Sequence, residues 1–159
     1  MKPRVYIETS VLSYLTALPS RDVVQASHQQ ITIDWWAERD RFEPLVSEAV
    51  LDEARRGDPV AAARRLAAAD GLPILSTGPE ARVVAGKLLE AAALPRKAAM
   101  DAAHVAIATI HRVDFLLTWN CTHLANATMR AHIEEVCRRS GFRPPIICTP
   151  EELTFQEET

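Results

Sequence analysis

The sequence predicts an α/β fold: a central, mostly parallel sheet of about five strands flanked by helices. Three observations predict it. Short apolar runs alternate with helical segments along the chain, often through short connections. The first run, Val5-Tyr6-Ile7, consists of strand formers with no polar interruption, which suits a strand buried on both faces. The length, 159 residues, is that of one domain with a sizeable core, expected over residues 1–159 without repeat, low-complexity segment or linker.

Strand one ends at Glu8, and Thr9 or Ser10 can cap a helix from Val11 to Leu18 that Pro19 stops. Asp22 can cap a longer helix to about Arg39, with Val23, Ile31, Ile33, Trp35 and Trp36 as its apolar surface, core or dimer contact. Pro44-Leu45-Val46 is the second strand. Ser47 caps a helix through Ala54 that Gly57 ends, and Asp58-Pro59 starts another, Val60 to Ala69, closed by Asp70-Gly71. Pro73-Ile74-Leu75 is the third strand. Thr77 and Glu80 have capping-box spacing and open a helix to about Ala93. After Leu94-Pro95, an apolar helix from Ala98 to His111 leads to strand four, Phe115 to Thr118. A mixed-charge helix from Thr122 to Arg139, ended by Gly141, precedes strand five, Ile146-Ile147-Cys148. Thr149-Pro150-Glu151-Glu152 is a last capping box on a short turn.

Composition excludes several function classes. The net charge of −3 gives no whole-molecule attraction to nucleic acid, so such binding needs a local basic patch or metal ions. No apolar run approaches the ~20 residues of a membrane helix, and Met1-Lys2-Pro3 leads straight into strand one without a signal peptide, so a cytoplasmic protein is expected. Cys121, Cys137 and Cys148 are odd in number and widely spaced, which fits free buried thiols rather than disulfides or zinc. Gly-rich phosphate loops and nucleophile elbows are missing.

What remains is a set of carboxylates and amides at strand ends and helix starts. Glu8 follows strand one; Glu53 lies on the helix after strand two, where Glu48 and Asp52 compete for its role. Asp101 opens the apolar helix before strand four, and Thr118-Trp119-Asn120 follows that strand. In a doubly wound sheet, ligands bind where the strand order reverses, beyond the carboxyl ends of the strands. Glu8, Asp101 and Asn120 can face one cleft there. Converging carboxylates repel unless protonated or bridged by cations, and hard oxygen ligands select Mg²⁺ or Mn²⁺. A metal so held binds a phosphodiester and activates an attacking water. Each residue also has a plainer reading: Glu8 and Glu53 as solvated acids, Asp101 as a partner of the helix dipole, Asn120 as a turn residue. His104, one turn after Asp101, is a core or rim histidine that can also reach the cleft. Trp119 packs or stacks on a base, and Arg55 and Arg56 face solvent or hold a substrate backbone.

Four motifs in order, Ile7-Glu8-Thr9-Ser10-Val11-Leu12, Glu53-Ala54-Arg55-Arg56-Gly57, Asp101-Ala102-Ala103-His104 and Leu116-Leu117-Thr118-Trp119-Asn120, resemble those of PIN domains, above all the VapC-type toxins of bacterial type II toxin–antitoxin pairs. The resemblance spans strands one to five. It implies a PIN-like three-layer fold and a Mg²⁺- or Mn²⁺-dependent endoribonuclease, usually a homodimer, held inactive by a cognate antitoxin. By position, Glu8, Glu53 and Asp101 would bind metal, Asn120 would take the fourth acidic position, and Thr9, Ser10 and Thr118 are nearby hydroxyls for the substrate. Two positions depart from the family: its first acid is usually Asp, here Glu8, and its fourth is usually Asp, here the neutral Asn120. The longer Glu moves the carboxylate outward, and Asn removes one charge, which implies weak binding of a second metal. The rival expectations are a PIN-like RNA- or partner-binding module that has lost turnover, and a receiver- or phosphatase-like domain, which needs an Asp where Glu8 stands.

Overall fold

The computed structural model describes residues 1–155, and the last four positions of the domain predicted over 1–159 lie outside the described residues. The five strands form one all-parallel sheet, β1 (Arg4–Ile7), β2 (Glu43–Ser47), β3 (Ile74–Leu75), β4 (Phe115–Leu117) and β5 (Ile146–Cys148), in the order β3-β2-β1-β4-β5. The expected α/β class is therefore correct. β1 is central, with Tyr6 opposite Leu45 on one side and Leu116 on the other. Strand order moves one way from β1 to β3 and then jumps back across β1 to β4 and β5. The reversal places a switch point between the carboxyl ends of β1 and β4.

The helices are α1 (Thr9–Thr16), α2 (Val23–Ala37), α3 (Glu48–Ala54), α4 (Pro59–Ala69), α5 (Pro79–Glu90), α6 (Ala99–Ile110) and α7 (Ala127–Arg139). Right-handed crossovers carry the connections before and after the reversal to opposite faces of the sheet. Accordingly α1 packs with α2 and α4, while α5 packs with α6 and α7. The short α3 touches both groups, α1 and α4 on one side and α6 on the other. Val5, Tyr6, Ile7, Leu116 and Leu117 are fully buried between these layers, and each large side chain contributes roughly 1.5–3 kcal/mol by burial.

Three helix starts follow the expected caps. Asp22 accepts from Gln25 N at 2.9 Å, Ser47 from Val50 N at 3.1 Å, and Asp58 from Ala61 N at 2.9 Å. Thr149 and Glu152 form their reciprocal box, with backbone-to-side-chain distances of 3.1 and 3.3 Å, on a turn. Gly57 and Gly141 follow α3 and α7 with φ of +83° and +90°, the left-handed backbone that glycine adopts without penalty.

Three starts differ. α1 begins at Thr9, two residues early, and its cap is Glu8 rather than Thr9 or Ser10. α5 has Gly78 as its cap without a side-chain bond, because Thr77 N donates instead to Glu48 Oε2 at 3.0 Å. α7 begins at Ala127 rather than Thr122, since Asn120 folds residues 121–125 into a turn by accepting from Leu124 N and Ala125 N. Asn126 then caps α7 through Thr128 N at 3.0 Å. Trp35 is core, its indole N–H donating to Leu153 O at 3.1 Å, while Trp36 is half-buried beneath Arg39. Cys137 and Cys148 are buried and free as expected, with burial raising the Cys148 thiol to about 12, but Cys121 is exposed. Among the described residues no helix is long and apolar enough to cross a membrane.

The corrected start of α7 is testable by thermal and urea unfolding. Asn126→Ala should cost about 0.5–2 kcal/mol, the usual loss of an N-cap. Thr122→Ala should stay within about 0.5 kcal/mol of the parent; a larger loss at Thr122 than at Asn126 would restore the longer helix.

Candidate functional site

Parallel pairing continues one residue past the strands at the switch point. Glu8 N donates to Leu117 O at 3.1 Å and Thr118 N to Cys148 O at 3.0 Å, which sets the Glu8 and Thr118 side chains side by side at the sheet's carboxyl edge. Glu8 has extended backbone and caps α1, accepting through Oε2 from Ser10 N at 2.7 Å, from the Ser10 hydroxyl, and from Thr118 Oγ1 at 3.2 Å. Ser10 Oγ accepts from Trp119 N at 2.8 Å, and Thr118 Oγ1 from Asn120 N at 2.9 Å. These bonds latch the turn after β1 to the turn after β4. All the bonds the Glu8 carboxylate receives fall on Oε2, leaving Oε1 without a protein donor among the described residues.

Glu53 reaches the same place from α3, because that helix touches both layers. Its Oε1 accepts from Thr9 Oγ1 at 2.8 Å and meets His104 Nε2. His104, on α6, is fully buried, with its other nitrogen 2.6 Å from the Tyr6 hydroxyl, which lies 2.7 Å from Ser47 Oγ. Carboxylate oxygens of Glu8 and Glu53 and a ring nitrogen of His104 lie within 4.8 Å of one another.

Asp101 stands one turn earlier on α6. Its Oδ1 accepts from Asn120 Nδ2 at 3.0 Å, and its Oδ2 lies 3.1 Å from His123 Nδ1. Asn120 Oδ1 in turn accepts from His123 N at 3.0 Å, so the turn after β4 aims His123 back at Asp101. The four residues singled out from the sequence thus form two groups, Glu8 with Glu53 and Asp101 with Asn120, joined through α6. Thr9, Ser10 and Thr118 spend their hydroxyl donors on the carboxylates. Arg55 is exposed and pairs with Asp52 at 2.8 Å, and Arg56 is exposed beside Glu53. Trp119 is buried, stacked on His28 at 4.0 Å and donating to Thr32 Oγ1 at 2.7 Å.

Sequence reasoning missed three participants. His123 was hidden inside an expected helix, although its spacing of three from Asn120 is also that of a tight turn. Tyr6 read only as a strand former and Ser47 only as a cap; neither the strand pattern nor the cap signal shows that their hydroxyls meet.

The electrostatics follow from burial and like charge. Burial raises the Glu8 carboxyl above the usual range, and Glu53 adds to this, against the opposing pull of His104 and the Ser10 bonds. Burial also acts to raise Glu53, but the bond and charge of His104, the Thr9 bond and Arg56 outweigh it and hold Glu53 below the usual range. His104 is disfavoured as a cation by burial, yet the Glu53 bond and the charges of Glu8, Glu53 and Asp101 raise it overall. Among the described residues no Lys or Arg forms an ion pair with Glu8, Glu53 or Asp101.

No family model and no curated protein matches the chain. Two solved structures do. One is the Mycobacterium tuberculosis toxin VapC20, which cleaves the sarcin–ricin loop; it is 16% identical with a TM-score of 0.58, over 75% of this chain and 92% of that one. The other is VapBC2 from Rickettsia felis, bound to a DNA fragment from its promoter, 13% identical with a TM-score of 0.53, over 92% of this chain and 98% of that one. At these identities the likeness is one of fold, and it is the three-layer fold that the four motifs led us to expect.

The two glutamates should respond to neutralisation with opposite signs in chelator. Ionised Glu8 opposes folding above the ordinary carboxylate pKa, and the opposition vanishes as pH falls below it; ionised Glu53 supports folding above that value, and the support is lost as pH falls through its lowered pKa. Glu8→Gln should therefore stabilise the protein at pH 7, and Glu53→Gln should destabilise it by roughly 1–3 kcal/mol. In urea unfolding series at falling pH the Glu8 difference should vanish by about pH 4, near the ordinary carboxylate value, whereas the Glu53 difference should shrink only below that value.

Proposed function

We propose that this chain is a Mg²⁺- or Mn²⁺-dependent endoribonuclease, the toxin of a toxin–antitoxin pair. The observation that carries this reading is the convergence of Glu8 and Glu53 at the β1/β4 switch point, with Glu8 buried and no Lys or Arg paired to it. A buried carboxylate held ionised beside another needs a compensating charge, and the donor set suits a hard divalent cation. Glu8, Glu53 and Asp101 would hold it, and Asn120 completes the group. When bound, such a cation neutralises phosphodiester charge and makes an attacking water more acidic.

The chain's own residues prepare the site. Ser10 and Thr118 fix one oxygen of Glu8 and leave the other without a donor; Thr9 and His104 fix one oxygen of Glu53. Asn120 and His123 hold both oxygens of Asp101 in one orientation. Exposed Arg56 lies beside Glu53 and, with exposed Arg55, which is paired to Asp52, would supply the local positive charge that a chain of net charge −3 needs to bind an RNA backbone. The PIN-like motifs and the fold shared with a loop-cleaving toxin support RNA as substrate. The fold shared with VapBC2 supports a protein antitoxin. The same resemblance extends to a homodimer acting in the cytoplasm.

The test is cleavage of a mixed RNA pool by antitoxin-free protein in Mg²⁺, Mn²⁺ or EDTA. Cleavage should need metal, and Asp101→Ala should lower it roughly 100-fold or more, since a metal ligand supports several kcal/mol of transition-state stabilisation. Metal-independent cleavage, or an unaffected Asp101→Ala protein, overturns the reading. A second expectation concerns Asn120→Asp, which replaces the donor 3.0 Å from Asp101 with another carboxylate. It should destabilise the metal-free protein by about 1–3 kcal/mol, with the loss recovered when Mn²⁺ is added, as thermal unfolding with and without metal would show.

A further inference from the structure

Four buried or half-buried side chains form one hydrogen-bonded chain, of which the proposed chemistry uses only the last, Glu53. Ser47 Oγ accepts from Val50 N, which leaves the Ser47 O–H to donate to the Tyr6 oxygen 2.7 Å away. The Tyr6 O–H is then free to donate to His104 Nδ1 at 2.6 Å, and His104 Nε2–H to donate to Glu53 Oε1. Each donor has one acceptor, and the neutral imidazole is fixed in one tautomer. Ser47, Tyr6 and His104 are all fully buried. Tyr6 sits in the central strand between Leu45 and Leu116, so its hydroxyl cannot move without the sheet, and its ring meets His104 edge-on at 5.7 Å.

We propose that Tyr6 and His104 are positioning residues that lock Glu53 Oε1 and so present Glu53 Oε2 to the divalent cation, with His104 itself not a ligand. This rests on the metal site proposed above and deepens it. By distance alone His104 qualifies as a third ligand beside Glu8 and Glu53. Ligation through Nε2 would leave Glu53 Oε1 held by Thr9 alone, and ligation through Nδ1 would leave the Tyr6 hydroxyl without its acceptor in a site closed to water. Holding a ligand's unused oxygen is instead the ordinary task of an outer group, and losing such a group typically costs 10–100-fold in metal affinity. The consequence is an all-oxygen site, which suits Mg²⁺ and Mn²⁺ rather than Zn²⁺.

Two measurements test this on the full-length protein. Electron spin-echo spectroscopy of the Mn²⁺-loaded wild type should show no directly coordinated nitrogen; a coordinated imidazole signal overturns the proposal without any substitution. Calorimetric Mn²⁺ titration should show about 10-fold or greater weakening in Tyr6→Phe, which keeps the ring and removes the hydroxyl. Thr109→Val, which removes a buried hydroxyl on α6 that bonds Val105 O instead, should leave Mn²⁺ affinity within about twofold. Unchanged affinity in Tyr6→Phe, or equal weakening in Thr109→Val, overturns the positioning role alone. A wild type that binds no Mn²⁺ overturns the metal site and this proposal together.

Discussion

The constraint on which the site depends is the burial of Glu8 at the point where the strand order reverses. Ligand-binding sheets of this class open there because adjacent connections depart to opposite faces, and the opening here is lined by an acid that is almost fully buried. A carboxylate taken out of water is costly unless its lone pairs are met and its charge compensated. The chain meets the lone pairs of one oxygen with Ser10 and Thr118 and leaves the other bare. Among the described residues it sets no Lys or Arg against the charge. Such a site is unfavourable as a structural element and favourable as a receptor for a cation.

The same bonds explain why the surrounding backbone is arranged as it is. Glu8 caps α1, Ser10 and Thr118 tie the two strand-end turns together, and Asn120 both shapes the turn after β4 and anchors Asp101. Side chains that would ordinarily serve local structure are committed across more than one hundred residues of sequence. Local rules broken in favour of long-range ones are what a functional site looks like in an otherwise consistent fold.

That pattern also decides how much was legible in the sequence. The sheet was readable because its strands are uninterrupted apolar runs, and Asp22, Ser47 and Asp58 were readable as caps because each bonds three residues ahead. Glu8 as a cap was not, since Thr9 and Ser10 are better cap types and only the Thr9–Glu53 and Ser10–Trp119 bonds explain why they are used elsewhere. The start of α7 was misplaced because the mixed-charge run reads as one helix from Thr122 until Asn120 is known to hold the turn. Glu8, Asp101 and Asn120 could be gathered from strand order alone. The pairing of Glu53 with His104 could not, because it depends on α3 touching both helical layers, a fact of packing with no local signal. His123 and the Tyr6–Ser47 contact were invisible for the same reason.

The two departures from the PIN pattern are best understood as one arrangement. An Asp at position 8 has a side chain short enough to cap α1 but little reach beyond it; Glu8 caps with Oε2 and extends Oε1 past the cap. At position 120 an Asp could accept from His123 N but could not donate to Asp101, whereas Asn120 does both at once. The amide thus gives up a fourth negative charge and gains a fixed Asp101. A site with one acid already buried and above its usual pKa gains more from an oriented third acid than from a repelling fourth. The longer residue lets one side chain serve helix and cleft together, and the neutral one spares the site a fourth negative charge.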